Sequence, residues 1–380
     1  MNAPGASCEP GQTADQRVRQ ASIDVLRAVA IALMVVVHFA ENLAGASGPT
    51  GSVFEGAQAA WWLPTGFAAP TFTLLVGVSY RLWLGQQPRR TDLAISKTTV
   101  RRGLFLIGLG FAFNVLIWLP EDVFNWDILT LIGCGLLVLE AARRMPGPVV
   151  ILAAVLVALV APALRVAVDY DAFWTAGYFD YEFTLPDVAL GWLVTGYFPI
   201  FPWLSYPLVG FAVAPLLSSG RHTLALVGGG CVAAAVMLLL AWPALPPVVT
   251  GEASRGWTMF PASSAYVLGT LGGVILTLTA LHRLLDGPVP RCRGLVNWAR
   301  PLSRHSLSLY LVHHAVHIWP LWTAGFATTG DPAEYWQVAM PVRWAIGLAA
   351  LFLAAAAVVC RWADRRRLPT AEALMRWVCD

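Results

Sequence analysis

Residues 19–38 read RQASIDVLRAVAIALMVVVH. Every side chain from Ala28 to Val37 is apolar, and the run continues through Phe39 and Ala40. A helix of about 20 mostly apolar residues spans a bilayer, so this stretch reads as a membrane helix. It nevertheless carries Asp24, Arg27 and His38. Ionisable groups inside a span are costly and mark functional positions. Arg27 and His38 are eleven positions apart. At roughly 100° per residue that is three turns plus about 20°, so the two share one face, about 16 Å apart along the axis. Asp24 precedes Arg27 by one turn and is placed to pair with it. Glu41 and Asn42 follow His38 at i+3 and i+4, within reach of its ring.

The whole chain agrees with this reading. Its 380 residues are 57% hydrophobic and 12% charged, against about 45–50% and about 25% for soluble domains. Mean hydropathy is +0.64. So little charge cannot cover a soluble body of this size, and it excludes a disordered chain. It also excludes a nucleic-acid binder, which needs a basic face. Long apolar runs argue against a transmembrane β-barrel, which alternates apolar and polar residues. What remains is an all-α, polytopic membrane protein with the lipid bilayer as its first partner. The six cysteines include no C-x-x-C pair and read as small buried hydrophobes. Ala44-Gly45-Ala46 mimics a signal-peptidase site, but the first apolar run reads as an uncleaved span.

About ten spans are expected, near 21–43, 58–84, 102–119, 127–142, 148–168, 199–218, 222–243, 262–284, 304–325 and 337–361. Arginine and lysine then set the orientation. One side collects Arg17, Arg19, Arg89, Arg90, Lys97, Arg101, Arg102, Arg143, Arg144, Arg221, Arg283, Arg291, Arg293, Arg300, Arg304, Arg361 and Arg365 to Arg367. The other holds Arg165, Arg255 and Arg343. The positive-inside rule puts both termini in the cytoplasm and the protein in the cell's inner (plasma) membrane. Residues 1–20 and 362–380 then flank a single transmembrane unit, 21–361. Residues 169–198 form an acidic, aromatic outer loop, suited either to an interfacial belt or to a sugar-binding vestibule. The stretches Gly228 to Gly230 and Gly269-x-x-Gly272-Gly273 would pack helices within or between chains, which is compatible with an oligomer.

Two more segments carry polar chemistry. SRHSLSLYLVHHAVHI, residues 303–318, sets Tyr310, His313 or His314, and His317 on one helical stripe. No Cys or Glu at ligand spacing accompanies these histidines, so hydrogen bonding in a substrate pocket is expected rather than a metal. Pro199, Pro202 and Pro207 break the helix in FPIFPWLSYPLVG, residues 198–210. Broken helix at membrane depth lines a cavity or is buried, so Trp203 and Tyr206 are candidate cavity residues.

In order, these pieces resemble a family. Arg19 to His38 resembles the opening helix of the transmembrane acyltransferase superfamily, and the Arg27-x10-His38 spacing resembles the signature of its acyltransferase-3 branch. The remainder is more similar to the heparan-α-glucosaminide N-acetyltransferase-like branch. The similar pieces are APTFTLLVGVS (69–79), RRGLFLIGLG (101–110), WDILTLIG (126–133), FPIFPWLSYPLVG (198–210) and SLSLYLVHH (306–314). The similarity covers most of residues 20–325. It implies ten or eleven helices that move an acyl group, usually acetyl, from cytoplasmic acyl-CoA to an acceptor at the outer face. It also implies that Arg27 and His38 are required. Two positions depart from the family: Ala28 stands where it usually has Gly, and residues 44–56 lack the loop histidine of the lysosomal members.

The residues suit that chemistry. CoA is a polyanion, and Lys97, Arg101, Arg102, Arg300 and Arg304 are cations at the cytoplasmic rim. Arg27 is placed deeper, to grip a phosphate or polarise the thioester. Neutral His38 is the expected general base on a hydroxyl or amine of a sugar, glycan or small-metabolite acceptor. Glu41, Asn42, Trp203, Tyr206, Tyr310, His313 and His314 are the expected acceptor contacts. The alternative reading is a proton-coupled secondary transporter or flippase, with Asp24, Arg27 and His38 as its relay. No likeness between residues 1–190 and 191–380 supports the repeat such a transporter often has.

Overall fold

The computed structural model describes residues 20–45, 66–175, 178–241, 256–287 and 292–380. The segment 1–19 with Cys8, Arg17 and Arg19, most of the loop 44–56, the start of the expected second span, and Arg255 lie outside them. A helix satisfies its own backbone hydrogen bonds, which a bilayer demands, and the described chain is accordingly almost all helical. In chain order the elements begin with α1 (Ala21–Ala44), α2 (Ala68–Gly85), α3 (Asp92–Ile117), α4 (Ile128–Ala142) and α5 (Gly147–Ala167). A two-stranded hairpin, β1 (Trp174–Thr175) and β2 (Tyr178–Phe179), precedes α6 (Leu185–Leu190). The short α7 (Ile200–Trp203), α8 (Ser205–Val213) and α9 (Leu216–Ser219) follow, then α10 (Arg221–Ala241) and α11 (Ser264–Leu285). The chain ends with α12 (Arg293–Arg304), α13 (Ser306–Thr329), α14 (Val342–Arg366) and α15 (Ala371–Cys379).

The helix starts are written in side chains. Thr91, Asp127, Ser263 and Thr370 each accept a hydrogen bond from the backbone NH three residues on, at 3.1–3.3 Å. Gly45 closes α1 at φ 58°, a left-handed conformation that favours glycine.

Eight helical stretches among the described residues are long and apolar enough to cross a bilayer: 21–44, 92–117, 120–142, 147–167, 185–213, 221–241, 264–285 and 342–366. The other two expected spans also form helices, α2 of 18 residues and α13 of 24. Their Thr, Ser, Tyr and His side chains lower their hydropathy, and α13 turns its histidines inward. Several expected boundaries shift, the tenth span from 337–361 to Val342–Arg366 among them. The third span begins at Asp92 rather than near 102, because Thr91 caps it there and Lys97, Arg101 and Arg102 ride on the helix. The sixth apolar stretch begins at Leu185, inside the expected outer loop, and is broken by prolines; Phe201 has extended angles (φ −99°, ψ 116°). The ninth is preceded by the separate helix α12, and α13 starts at Ser306.

The two largest of the four apolar clusters among the described residues surround α1. Leu74, Leu75 and Val78 of α2 pack with Trp203, Tyr206, Tyr266, Val274 and Leu278. Ala28, Ile31, Val35 and Phe39 of α1 pack with Leu302, Leu309, Ala345, Ala349 and Ala356. Ile23 and Leu26 put the first turns of α1 into the first core as well, so this helix is their common wall. Leu152, Leu156 and Leu159 of α5 and Leu226, Met237 and Leu240 of α10 are exposed, as side chains facing lipid tails would be.

The tail is not a loose end. Glu372 Oε1 accepts from the Leu307 and Ser308 amides at 2.8 and 3.0 Å, and the Ser308 hydroxyl donates to Glu372 Oε2 at 2.7 Å. A carboxylate is thus seated at the positive N-terminus of α13. Asp380 forms a fork with Arg102, both its oxygens 2.7 Å from Nη2.

Trp203 and Tyr206 are among the fully buried side chains of the first core, and Trp203 also lines a small pocket with Arg165, Tyr170 and Phe260. The Tyr206 hydroxyl is 2.7 Å from Thr270 Oγ1. The proline-broken segment is packed against α2 and α5, and Tyr206 reaches Thr270 of α11. Tyr206→Phe is expected to cost about 0.5–1.5 kcal/mol, the worth of one buried hydrogen bond. A melting temperature in detergent equal to that of the parent would contradict this placement.

Candidate active site

The first charged group lies where α1, α2 and α12 meet. Asp24 is 1% exposed, and the Ser303 hydroxyl donates to its Oδ1 at 2.7 Å. Arg27 donates from Nη1 to Ser303 Oγ at 3.2 Å and from Nη2 to Ser79 Oγ at 2.7 Å. Ser303 therefore links Asp24 to Arg27. Sequence spacing predicts the closeness of Asp24 and Arg27 but not the two serines, which come from helices 52 and 276 residues away.

Three turns further along α1, His38 meets α13. Its Nδ1 is 2.9 Å from His313 Nε2 and the two rings stack at 5.2 Å. His314 lies beside both, its ring centre 4.5 Å from that of His38 and 4.0 Å from that of His313. One ring nitrogen from each of the three lies within 4.8 Å of the others. His317 completes the row, with Nε2 2.9 Å from Asn42 Nδ2. Trp336 Nε1 donates to Asn42 Oδ1 at 3.3 Å. All four α13 positions named by the sequence thus line one centre with α1: the Tyr310 hydroxyl donates to Asp127 Oδ2 at 3.1 Å, and its ring lies against His313 and His314.

The hydrogen bonds fix the tautomers of the neutral rings. A carbonyl oxygen can only accept. His313 Nδ1 lies 2.9 Å from the Leu309 carbonyl, His314 Nδ1 3.3 Å from that of Tyr310, and His317 Nδ1 2.5 Å from that of His313. All three rings therefore carry their proton on Nδ1, and Nε2 is the lone pair. His313 Nε2 must accept, so His38 Nδ1 donates to it and the lone pair of His38 stands on Nε2.

Glu41 sits one turn beyond His38, toward the hairpin. Tyr178 of β2 feels it: burial pushes the Tyr178 hydroxyl up, the Gln337 hydrogen bond opposes this, and the Glu41 charge adds to the rise. Gln337 Nε2 donates to the Tyr178 hydroxyl at 2.6 Å. Trp336 stands between, 5.1 Å from Tyr178 and 6.2 Å from Trp118, which in turn is 5.7 Å from His314. This aromatic file from the hairpin to the histidines was not visible in the sequence, because its members come from four separate segments.

The expected donor cations occupy the opposite end of α1. Lys97 and Arg101 are exposed on α3. Arg102 is paired with Asp380 and lies over the Trp83 ring at 5.4 Å. Arg304 is exposed and 3.2 Å from Asp364. The structure thus separates the expected residues into a basic rim, the Asp24–Arg27 group and the histidine centre, and it leaves Trp203 and Tyr206 outside all three.

Helices of this length and apolarity around a buried polar centre define a multi-pass membrane protein with chemistry at its heart. The chain belongs to the heparan-alpha-glucosaminide N-acetyltransferase catalytic family, whose model matches residues 19–246. It is therefore a multi-pass membrane transferase by family. The matched stretch contains Arg27, His38 and Glu41, whereas the α13 histidines lie beyond it. No curated protein matches the chain.

Proposed function

We propose that the protein moves an acetyl group from cytoplasmic acetyl-CoA to an amine or hydroxyl of a glucosamine-like acceptor across the membrane, with His38 as general base. The name of the family supports the acetyl group and the type of acceptor. One observation carries the base: the His38–His313 bond of 2.9 Å, with His313 anchored on the Leu309 carbonyl. It orients the His38 ring and leaves Nε2 as its basic nitrogen. The acceptor then gives its N–H or O–H proton to Nε2 while its nitrogen or oxygen attacks the thioester carbonyl. The C–S bond breaks, and CoA leaves as a thiolate that takes up a proton. Direct attack of this kind needs no covalent acyl-protein.

In this proposal both termini face the cytoplasm at the plasma membrane, in line with the basic residues clustered at one end. Lys97, Arg101, Arg102 and Arg304 hold the CoA phosphates, and Arg102 exchanges Asp380 for a phosphate when the donor arrives. Arg27, held between Ser79 and Ser303, lies on the way of the pantetheine arm. Glu41, Asn42, Tyr310 and the aromatic file toward Tyr178 receive the acceptor from the other side.

The test is acceptor-dependent release of CoA thiol by the detergent-purified protein, with acetyl-CoA and glucosamine or a glucosamine-terminated oligosaccharide. Saturable movement of the sugar without CoA release would replace this reading with transport. With radiolabelled acetyl-CoA and no acceptor, the protein is expected to stay unlabelled after denaturation. Stoichiometric label would establish an acyl-enzyme instead. His313→Ala is expected to lower kcat by about tenfold or more, a part of the 10²–10⁴ that a positioned base supplies. The KM for acetyl-CoA should hold, since His313 is far from the basic rim. Equal losses through KM would show a general packing defect.

A further inference from the structure

The histidine centre has a property that base catalysis does not require. Three imidazoles from two helices converge, with one nitrogen of each within 4.8 Å of the others. We infer that His38, His313 and His314 form a binding site for a divalent transition metal, zinc above all, and that its occupation blocks the transfer reaction. The inhibitory consequence rests on His38 being the base; the binding itself does not.

The geometry is close to what zinc needs. Zinc–nitrogen bonds of about 2.0–2.1 Å in a tetrahedron put ligand nitrogens about 3.3 Å apart. The His38–His313 pair, at 2.9 Å, must open by a few tenths of an ångström. The other nitrogen pairs, within 4.8 Å, must settle at that spacing. Two of the three lone pairs are already aimed by their tautomers. His313 and His314 hold their Nδ1 protons on the Leu309 and Tyr310 carbonyls, so Nε2 is presented as a ligand atom. An outer hydrogen bond from ring N–H to carbonyl is the support that metal-bound imidazoles usually have. His38 is an Nδ1–H tautomer in the hydrogen-bonded cluster. It becomes a ligand through Nδ1 by moving that proton to Nε2, which leaves the ring neutral. Its basic Nε2 is lost in the same step, which is why the metal and the acceptor proton compete.

The surroundings allow entry and choose the ion. His313 and His314 are buried, at 0% and 2% exposure, whereas His38 is partly exposed and offers the approach. Phe113, Trp118, Tyr310 and His317 pack around the cluster. Imidazole ligands favour zinc, copper or nickel over magnesium or calcium, which demand oxygen. Glu41, one turn from His38, and Asp127, bonded to the Tyr310 hydroxyl, are the nearby carboxylates that offset a dication. His38 lies 275 residues before His313, which hides the set from any reading of spacing along α13.

The experiment loads the detergent-purified full chain with Zn²⁺ and records its zinc X-ray absorption fine structure. The expected result is one ion per chain with three imidazole nitrogens at about 2.0–2.1 Å. Co²⁺ in its place should give the intense visible bands of a tetrahedral site, absent from His314→Ala. Acetyl transfer by the parent should fall in proportion to occupancy and return with a chelator. An oxygen-only shell, or His314→Ala binding zinc as the parent does, would overturn the site. The absorption spectrum of the parent decides the matter even if the variant fails to fold. It also does so whether or not acetyl transfer is detected, which separates this inference from the proposed activity.

Discussion

Replacing His38 by alanine is expected to reduce acceptor-dependent CoA release by about 10²–10⁴-fold, the contribution of a positioned general base. The apolar packing of α1 runs through Ile31, Met34, Val35 and Phe39, so the helix keeps its place without the ring. The loss should therefore appear without a change in melting temperature of more than a few degrees. His38→Asn sharpens the test. Its amide can still donate to His313 Nε2, but it carries no basic nitrogen. Both variants should be equally inactive, while the KM for acetyl-CoA in any residual activity stays that of the parent. Turnover by His38→Asn at the parental rate would remove the base assignment and leave His38 a positioning residue only. Turnover by both would move the chemistry elsewhere in the protein.

The second large effect is structural. Gly77 of α2 faces α8 so closely that a Cβ there would overlap the Pro207 carbonyl and meet the Phe211 amide at 2.6 Å. Gly210 returns the contact, since a Cβ on it would collide with the Leu74 carbonyl. Backbone cannot swing aside as a side-chain tip can, so the two helices must separate to admit even a methyl group. Small residues at a crossing of this kind are how membrane helices approach each other. Gly77→Ala is expected to destabilise the protein by about 1–3 kcal/mol, typical of overpacking, and Gly77→Leu to prevent folding. Gly108 of α3 is the control, because a Cβ there meets nothing within 4 Å. Gly108→Ala should leave stability equal or raised by up to about 1 kcal/mol, the helix preference for alanine. Thermal unfolding in detergent measures all three. A Gly77→Ala protein that melts with the parent would mean that α2 and α8 do not cross at these glycines.

The membrane class and most helices were legible because apolar runs and charge placement are local properties of the chain. Asp127 and Ser263 stand where an apolar run begins, and both bond the backbone there as helix caps do. The face shared by Arg27 and His38 followed from helical rotation alone. What those residues touch did not. Ser79, Ser303, His313 and Trp336 reach α1 from far along the chain, and no spacing rule connects them. Residues 185–198 read as part of an outer loop because the stretch 169–198 is acidic and aromatic. The structure nevertheless continues α6 through a π-turn at Gly191–Thr195 toward the broken stretch. The surroundings of Trp203 and Tyr206 are non-local for a related reason. Proline reports a broken helix, but whether the break faces a cavity or a neighbour depends on packing. Glu372 left no signal either, since a capping carboxylate 65 residues from the helix it caps looks like any tail acid.

Helix α1 also sets limits on how this sequence can vary in length. One residue inserted between Arg27 and His38 would turn the imidazole by about 100° and raise it about 1.5 Å. It would leave the α13 histidines without their partner while Arg27 kept both serines. Seven residues would restore the direction to within about 20° but add about 10 Å to the separation. A helix that joins two fixed stations thus tolerates substitution along its apolar face far better than any change of register. Insertions and deletions compatible with the proposed chemistry belong in the loops, not between these two residues.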